Sequence, residues 1–134
     1  MIQLAITFIA EFIVAFVCYL ALRKFLPANR LAILVLVAGL VGLPAGWVAG
    51  YRMTAGKILN QYYASVNNDY RGKTGQDIPM NEWLLAAEQL QSHPDYYPSL
   101  HKGAAVHAIP ALLLVFALLG TLAKRREKKQ RPKV

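Results

Sequence analysis

The chain has 134 residues, of which 56% are hydrophobic, and it carries a formal net charge of +8 at pH 7. This composition excludes an ordinary soluble domain, because long apolar helices in so short a chain would lack other residues to cover them. It is typical of a small membrane protein, and the single cysteine, Cys18, excludes an intrachain disulfide.

The first apolar run, residues 2–22, is long enough to cross a bilayer, which takes roughly 17–25 helical residues. We expect a retained transmembrane helix and not a cleaved signal peptide, because basic residues follow the run instead of preceding it. Glu11 lies in its centre. A carboxylate at that depth costs about 3 kcal/mol or more, so it usually faces protein or trapped water and marks a functional site.

Polar and small residues recur on one face of this first helix at spacings of three and four. They are Gln3, Thr7, Glu11, Ala15 and Cys18. We expect this face to contact protein, and the opposite side to suit lipid. The lipid-facing residues are Phe8, Ile9, Phe12, Phe16 and Val17. The predicted intramembrane polar site comprises Glu11, Thr7, Gln3 and, if the helices are staggered, His107 from the third helix.

The second apolar run, residues 31–50, is rich in glycine. Gly42, Gly46 and Gly50 repeat at intervals of four, a pattern that lets another helix backbone approach closely. We predict that these three and Gly39 pack against a helix, either the first helix or another chain. Pro44 frees the Leu40 carbonyl from its helical partner, and a protonated Glu11 at similar depth is a candidate donor to it.

The segment 51–103 is too long and too patterned for a plain connection. Its apolar spacing predicts that the second helix continues to about Val66 and breaks at Asn67-Asn68-Asp69, where turn-forming residues begin. Asp77 or Asn81 is predicted to cap a short helix that reaches about Ser92. One side of that helix is lined by Trp83, Leu84, Ala87 and Leu90.

The same segment carries more aromatic residues than so little mass can bury by itself. Amphipathic aromatic surface beside a membrane lies either in the headgroup layer or against a partner protein, and the sequence leaves both open. The predicted docking residues are Trp83, Tyr62, Tyr63, Tyr96 and Tyr97.

The third apolar run, residues 104–123, is followed by a basic tail, residues 124–134. The excess positive charge lies in this tail and in the 23–30 loop, whereas the charges of the 51–103 segment balance. By the positive-inside rule both basic segments are cytoplasmic. The predicted fold is therefore an all-α membrane protein with three transmembrane helices, N-terminus out and C-terminus in, and a small helical extracytoplasmic loop.

The basic tail predicts attraction to anionic lipid headgroups and not a nucleic-acid partner, because its charges adjoin a membrane span. The 51–103 segment contains neither cysteine nor an N-x-S/T glycosylation sequence, which favours a bacterial inner (plasma) membrane.

Motifs for hydrolases, phosphate loops and redox dithiols are missing from the sequence. His93, His101 and His107 are separated by spacings that do not share one helical face, so neither a metal nor a haem site is predicted. We expect no cofactor and no enzymatic activity.

The leading hypothesis is a non-catalytic accessory or assembly subunit of a larger inner-membrane complex. It would pack through its transmembrane helices and dock on a larger integral membrane protein through the aromatic 51–103 segment. The alternative is an ion- or proton-conducting subunit that uses Glu11 and needs further polar groups along its path. A holin-like pore former is a third possibility, based only on general layout.

Overall fold

The computed structural model describes residues 1–27 and 30–130, and within them the chain forms helices and no strand. The helices are α1 (Ile2–Leu22), α2 (Leu31–Thr74), α3 (Met80–Gln91) and α4 (Tyr96–Gln130). Helices α1, α2 and α4 are long and apolar enough to cross a membrane. The prediction of an all-helical protein with three such helices is confirmed. Part of the predicted 23–30 loop and the last residues of the predicted tail lie outside the described residues.

Helix α2 is longer than predicted, and the expected break at Asn67 was wrong. The Asn67 side chain does not turn the local backbone; its amide donates to Asp77 and its carbonyl oxygen accepts the Ile78 N–H. Lys73 pairs with Asp69 one turn earlier, which supports the helix. The helix ends at Thr74, and the next residue, Gly75, has a φ of +74°, the left-handed conformation that glycine favours after a helix.

Helix α4 also exceeds the predicted third span, because it begins at Tyr96 and continues through the basic residues to Gln130. Pro98 falls in its first turn, where the missing N–H has no helical partner to lose. The described part of the basic tail is therefore helical.

Residues 1–50 and the chain from Ala104 onward form one compact unit. Its core contains buried side chains from α1, α2 and α4, so three helices share one packed interior. The residues are Ala15, Tyr19, Leu34, Ala38, Val115, Leu119 and Ala123. Along α4 the buried positions recur every three or four residues, which keeps one stripe of the helix inside.

Residues 51–103 form a second compact unit, built from the end of α2, all of α3 and the start of α4. Neither Asp77 nor Asn81 caps α3, because Pro79 holds the N-cap position in an extended conformation. The Asp77 carboxylate instead accepts a hydrogen bond from Asn67 at 3.0 Å and pairs with Arg71 at 2.6 Å. These contacts tie the segment before α3 to the last turns of α2.

Candidate functional site

The polar stripe of α1 is buried along most of its length. Thr7, Glu11 and Ala15 are fully buried and follow one another at intervals of four residues, as one face of a helix requires. Gln3 and Cys18 at the two ends are half-buried. Stacked aromatic rings run beside the stripe from Phe8 to Tyr19, and they pack against the core instead of facing lipid alone.

Two glycines of α2 lie against this stripe. A Cβ atom added to Gly46 would fall on the carboxyl group of Glu11. One added to Gly42 would lie 2.6 Å from the backbone oxygen of Glu11 and 3.0 Å from Cβ of Ala15. The backbones of α1 and α2 therefore approach each other at a distance that only glycine permits.

The other two predicted packing glycines of α2, Gly39 and Gly50, face α4. A Cβ atom on Gly39 would overlap the ring of Phe116, and one on Gly50 would lie 3.1 Å from Cα of Ala104. The four predicted packing glycines thus divide between two interfaces inside this chain. The spacing predicted close packing, but it contained no signal for which helix each glycine would meet.

The Glu11 carboxyl group is fully buried, and neither of its oxygens has a hydrogen-bond partner among the residues that the structure describes. The predicted contact with the Leu40 carbonyl was wrong, and Leu40 is 51% exposed. The nearby Thr7 hydroxyl donates to the Gln3 carbonyl at 2.8 Å. A buried carboxyl group without a partner is costly, so helix packing alone does not explain this side chain.

The predicted polar site comes together only in part. Glu11, Thr7 and Gln3 share one face of α1, whereas His107 on α4 is half-buried and makes no hydrogen bond to the Glu11 oxygens. The buried neighbours of His107 along α4 are Ala104, Ala108 and Ala111, which are apolar. Of the predicted polar site, the residues that share one helical face are thus those of α1.

The aromatic residues of the 51–103 unit pack largely on one another. The Trp83 ring lies 6.1 Å from that of Tyr62 and 5.0 Å from that of Tyr63. Tyr96, predicted to dock a partner, is only 8% exposed because its chain position falls on the buried stripe of α4. Tyr63 and Tyr97 keep exposed rings.

The sequence reasoning missed the exposure of three large apolar side chains on α3. Leu84 was expected on the packed side with Trp83, but the residue is 59% exposed. Two other apolar residues of α3 are also exposed, Leu85 at 61% and Met80 at 71%. The packed side is half-buried and consists of Trp83, Ala86, Ala87 and Leu90. The sequence did contain the information needed to place Leu84. Residues spaced by three and four from Trp83 to Leu90 share one side of a helix, and Leu84 does not fall on that spacing.

Within residues 1–27 and 30–130, no group of three or more His, Cys, Asp or Glu side chains is placed to hold a metal ion. Comparisons of the chain with models of protein families, with curated proteins and with solved structures found no match. The features that bear on function are therefore the residues and the packing of this chain.

Proposed function

We propose that the chain is a non-catalytic accessory or assembly subunit of a larger inner-membrane protein complex. The observation that carries this proposal is the exposure of three large apolar side chains on α3, those of Met80, Leu84 and Leu85. Outside the apolar runs such side chains gain free energy only when another surface covers them. The partner is a larger integral membrane protein that presents an apolar surface at the same level.

The docking surface is assigned to α3 and not to the glycine face of α2. Gly42 and Gly46 pack on α1, and Gly39 and Gly50 pack on α4, so these positions are already occupied within the chain. Tyr63 and Tyr97 contribute exposed rings to the same 51–103 unit, and aromatic residues are enriched at protein interfaces. The partner thus meets a mixed aliphatic and aromatic surface.

The proposed orientation follows the positive-inside rule. The basic residues after α1 and at the end of α4 face the cytoplasm, and the N-terminus and the 51–103 unit face the other side. In a bacterial inner membrane the docking surface is then extracytoplasmic. Its partner needs an extracytoplasmic surface of its own close to the membrane.

A photo-crosslinking amino acid at Leu84 tests this proposal in intact cells. We expect a discrete protein adduct at Leu84, and its loss when Leu85→Glu is introduced beside it, because a charge on this surface opposes apolar contact. The exposed Lys57 serves as the control position, where no such adduct is expected. Adducts with lipid alone at Leu84 would assign this surface to the headgroup layer and overturn the proposal.

A proton-conducting subunit is the second candidate, and it is favoured by the Glu11 carboxyl group, which has no hydrogen-bond partner among the described residues. A carboxyl group that no protein atom holds is free to exchange a proton with water that enters the bundle. The two candidates differ in Glu11→Gln, which removes the titrating group and keeps the shape. An accessory subunit retains its complex and its activity in this variant, whereas a conduit retains the complex and loses proton flux.

A further inference from the structure

An open groove lies between the start of α2 and the end of α4. Its volume is about 490 Å³, within the range of roughly 300–1,000 Å³ that small-molecule sites occupy. Most of its lining is apolar, including Leu31, Val35, Phe116 and Ala123. Gly120 forms part of the wall, and a Cβ atom added there would meet no described atom within 4 Å. The groove is thus an unfilled apolar channel along the bundle.

A smaller pocket of about 180 Å³ adjoins the groove and shares Leu31 and Glu127 with it. Arg23 from the end of α1 and Arg126 from α4 line this pocket, and Lys124 lines the groove beside it. The two linings together therefore contain three basic side chains and one acidic side chain, that of Glu127, at this end of the bundle. The combined lining carries an excess of positive charge next to an apolar channel.

The depth of this arrangement matches a membrane interface. Arg23 follows the end of the first apolar run, Leu31 opens the second, and Lys124 follows the end of the third. All three helices thus pass from apolar to basic residues at the same end of the bundle. The apolar channel lies on the hydrocarbon side of that change and the basic pocket on the headgroup side.

We propose that the groove and the pocket together bind one anionic phospholipid. An acyl chain lies along Leu31, Val35, Phe116 and Gly120, and the phosphate group lies between Arg23 and Arg126. Basic pockets between transmembrane helices at the headgroup level recognise anionic lipids, and guanidinium groups match the geometry of phosphate oxygens. The proposal requires only that the three helices span a membrane, and it is independent of the accessory role.

The two parts of the site explain why the ligand is a lipid and not a soluble phosphate. A small soluble anion would occupy the 180 Å³ pocket and leave the larger groove uncovered. A neutral phospholipid would fill the groove and leave the excess positive charge of the combined lining without a matching anion. Only an anionic headgroup that carries an acyl chain satisfies both surfaces at once.

Native mass spectrometry of the full chain in mild detergent tests this site, with phosphatidylglycerol and phosphatidylcholine offered at equal concentration. We expect retention of one phosphatidylglycerol in preference to phosphatidylcholine. Arg126→Gln should weaken retention about five- to tenfold, the effect of losing one basic contact near the headgroup. Arg125→Gln is the matched control, because Arg125 is exposed, lies outside both linings and changes charge equally.

The groove has its own variant, Gly120→Phe, whose ring fills the channel where the acyl chain lies. We expect loss of retained lipid with unchanged helical content by circular dichroism. Gly56→Phe is the control, since a Cβ atom on Gly56 also meets no described atom within 4 Å. If Gly120→Phe fails to fold, the comparison of Arg126→Gln with Arg125→Gln still tests the proposed site.

Four results would overturn the proposal. Equal loss in Arg126→Gln and Arg125→Gln would indicate general charge attraction. Unchanged retention in folded Gly120→Phe would place the acyl chain elsewhere. Equal retention of phosphatidylcholine would indicate ordinary lipid contact without recognition of the headgroup. Displacement of the lipid by millimolar glycerol phosphate would indicate a site for soluble anions.

Discussion

The carboxyl group of Glu11 occupies the space that a side chain on Gly46 would need. The two residues belong to different helices. Because Gly46 has no side chain, it leaves a space in the interface, and the Glu11 side chain fills that space. The most polar residue of the first apolar run therefore lies against the most closely packed part of the second. The α1–α2 interface is consequently sensitive to a single methyl group.

Gly46→Ala is expected to destabilise the bundle by about 1–3 kcal/mol, the range for inserting atoms into a well-packed core. The free energy of unfolding in detergent micelles measures the change. Shortening the opposing side chain in the Gly46→Ala, Glu11→Ala double variant should recover much of the loss. Gly56→Ala serves as the control, since its Cβ has open space. Additive losses in the double variant would show that the two side chains do not compete for one volume.

Glu11→Leu is expected to leave the stability of the bundle unchanged or to raise it by about 1–3 kcal/mol, because it removes a buried carboxyl group that has no hydrogen-bond partner within residues 1–27 and 30–130. Glu11→Gln keeps the shape and should fold normally. Unfolding of both variants beside the unaltered chain measures this. Strong destabilisation by leucine would reveal a bound water or ion on the carboxyl group.

Cysteine labelling tests the proposed orientation after Cys18→Ala removes the native thiol. A cysteine at Ser92 should react with an impermeant maleimide added to intact cells, and one at Lys129 should react only after the membrane is opened. Both positions are exposed on the protein surface, so protein burial does not limit labelling. Reaction of the Lys129 position from outside would reverse the assigned topology.

The hydrogen bond from the Asn67 amide lowers the pKa of Asp77 below its ordinary value of 3.8, and the Arg71 charge acts in the same direction. A carboxyl group whose pKa is lowered in the folded state stabilises that state above its unfolded pKa. This contribution is lost as the pH falls through the folded pKa. Carboxyl carbon NMR titration measures the pKa of Asp77 directly.

In that titration Asn67→Ala should raise the pKa of Asp77 toward 3.8. Lys73→Gln should leave it unchanged, because Lys73 pairs with Asp69. If Asp77 has the same pKa in Asn67→Ala as in the unaltered chain, the hydrogen bond from the Asn67 side chain does not lower the pKa of Asp77.

The apolar runs predicted the three long helices because length and hydropathy are local properties. The ends of the helices were harder to predict, since they depend on contacts distant in sequence. Asn67 is the clearest case: its amide satisfies Asp77 and Ile78 instead of forming the local turn that its residue type favours. A tertiary contact of this kind leaves no trace in helical periodicity.

The candidate site was predictable to a similar degree. The burial of Glu11 followed from its place on a stripe of small and polar residues, whose period is visible in the sequence. The division of the glycines between α1 and α4 was not visible, because it depends on how far each helix is rotated about its axis. Two further features depend on how the three helices pack: the Glu11 carboxyl group has no hydrogen-bond partner in the part of the chain that the structure describes, and a groove lies beside Gly120.

During biogenesis α1 leaves the ribosome before α2, and so Glu11 reaches the insertion machinery before Gly46 can cover it. Released alone into lipid, α1 would expose its carboxyl group at a cost of about 3 kcal/mol or more. This cost disappears when α2 closes over the side chain. We therefore expect the buried glutamate to delay lateral release of the first helix and to favour entry of α1 and α2 into the bilayer as a helical hairpin.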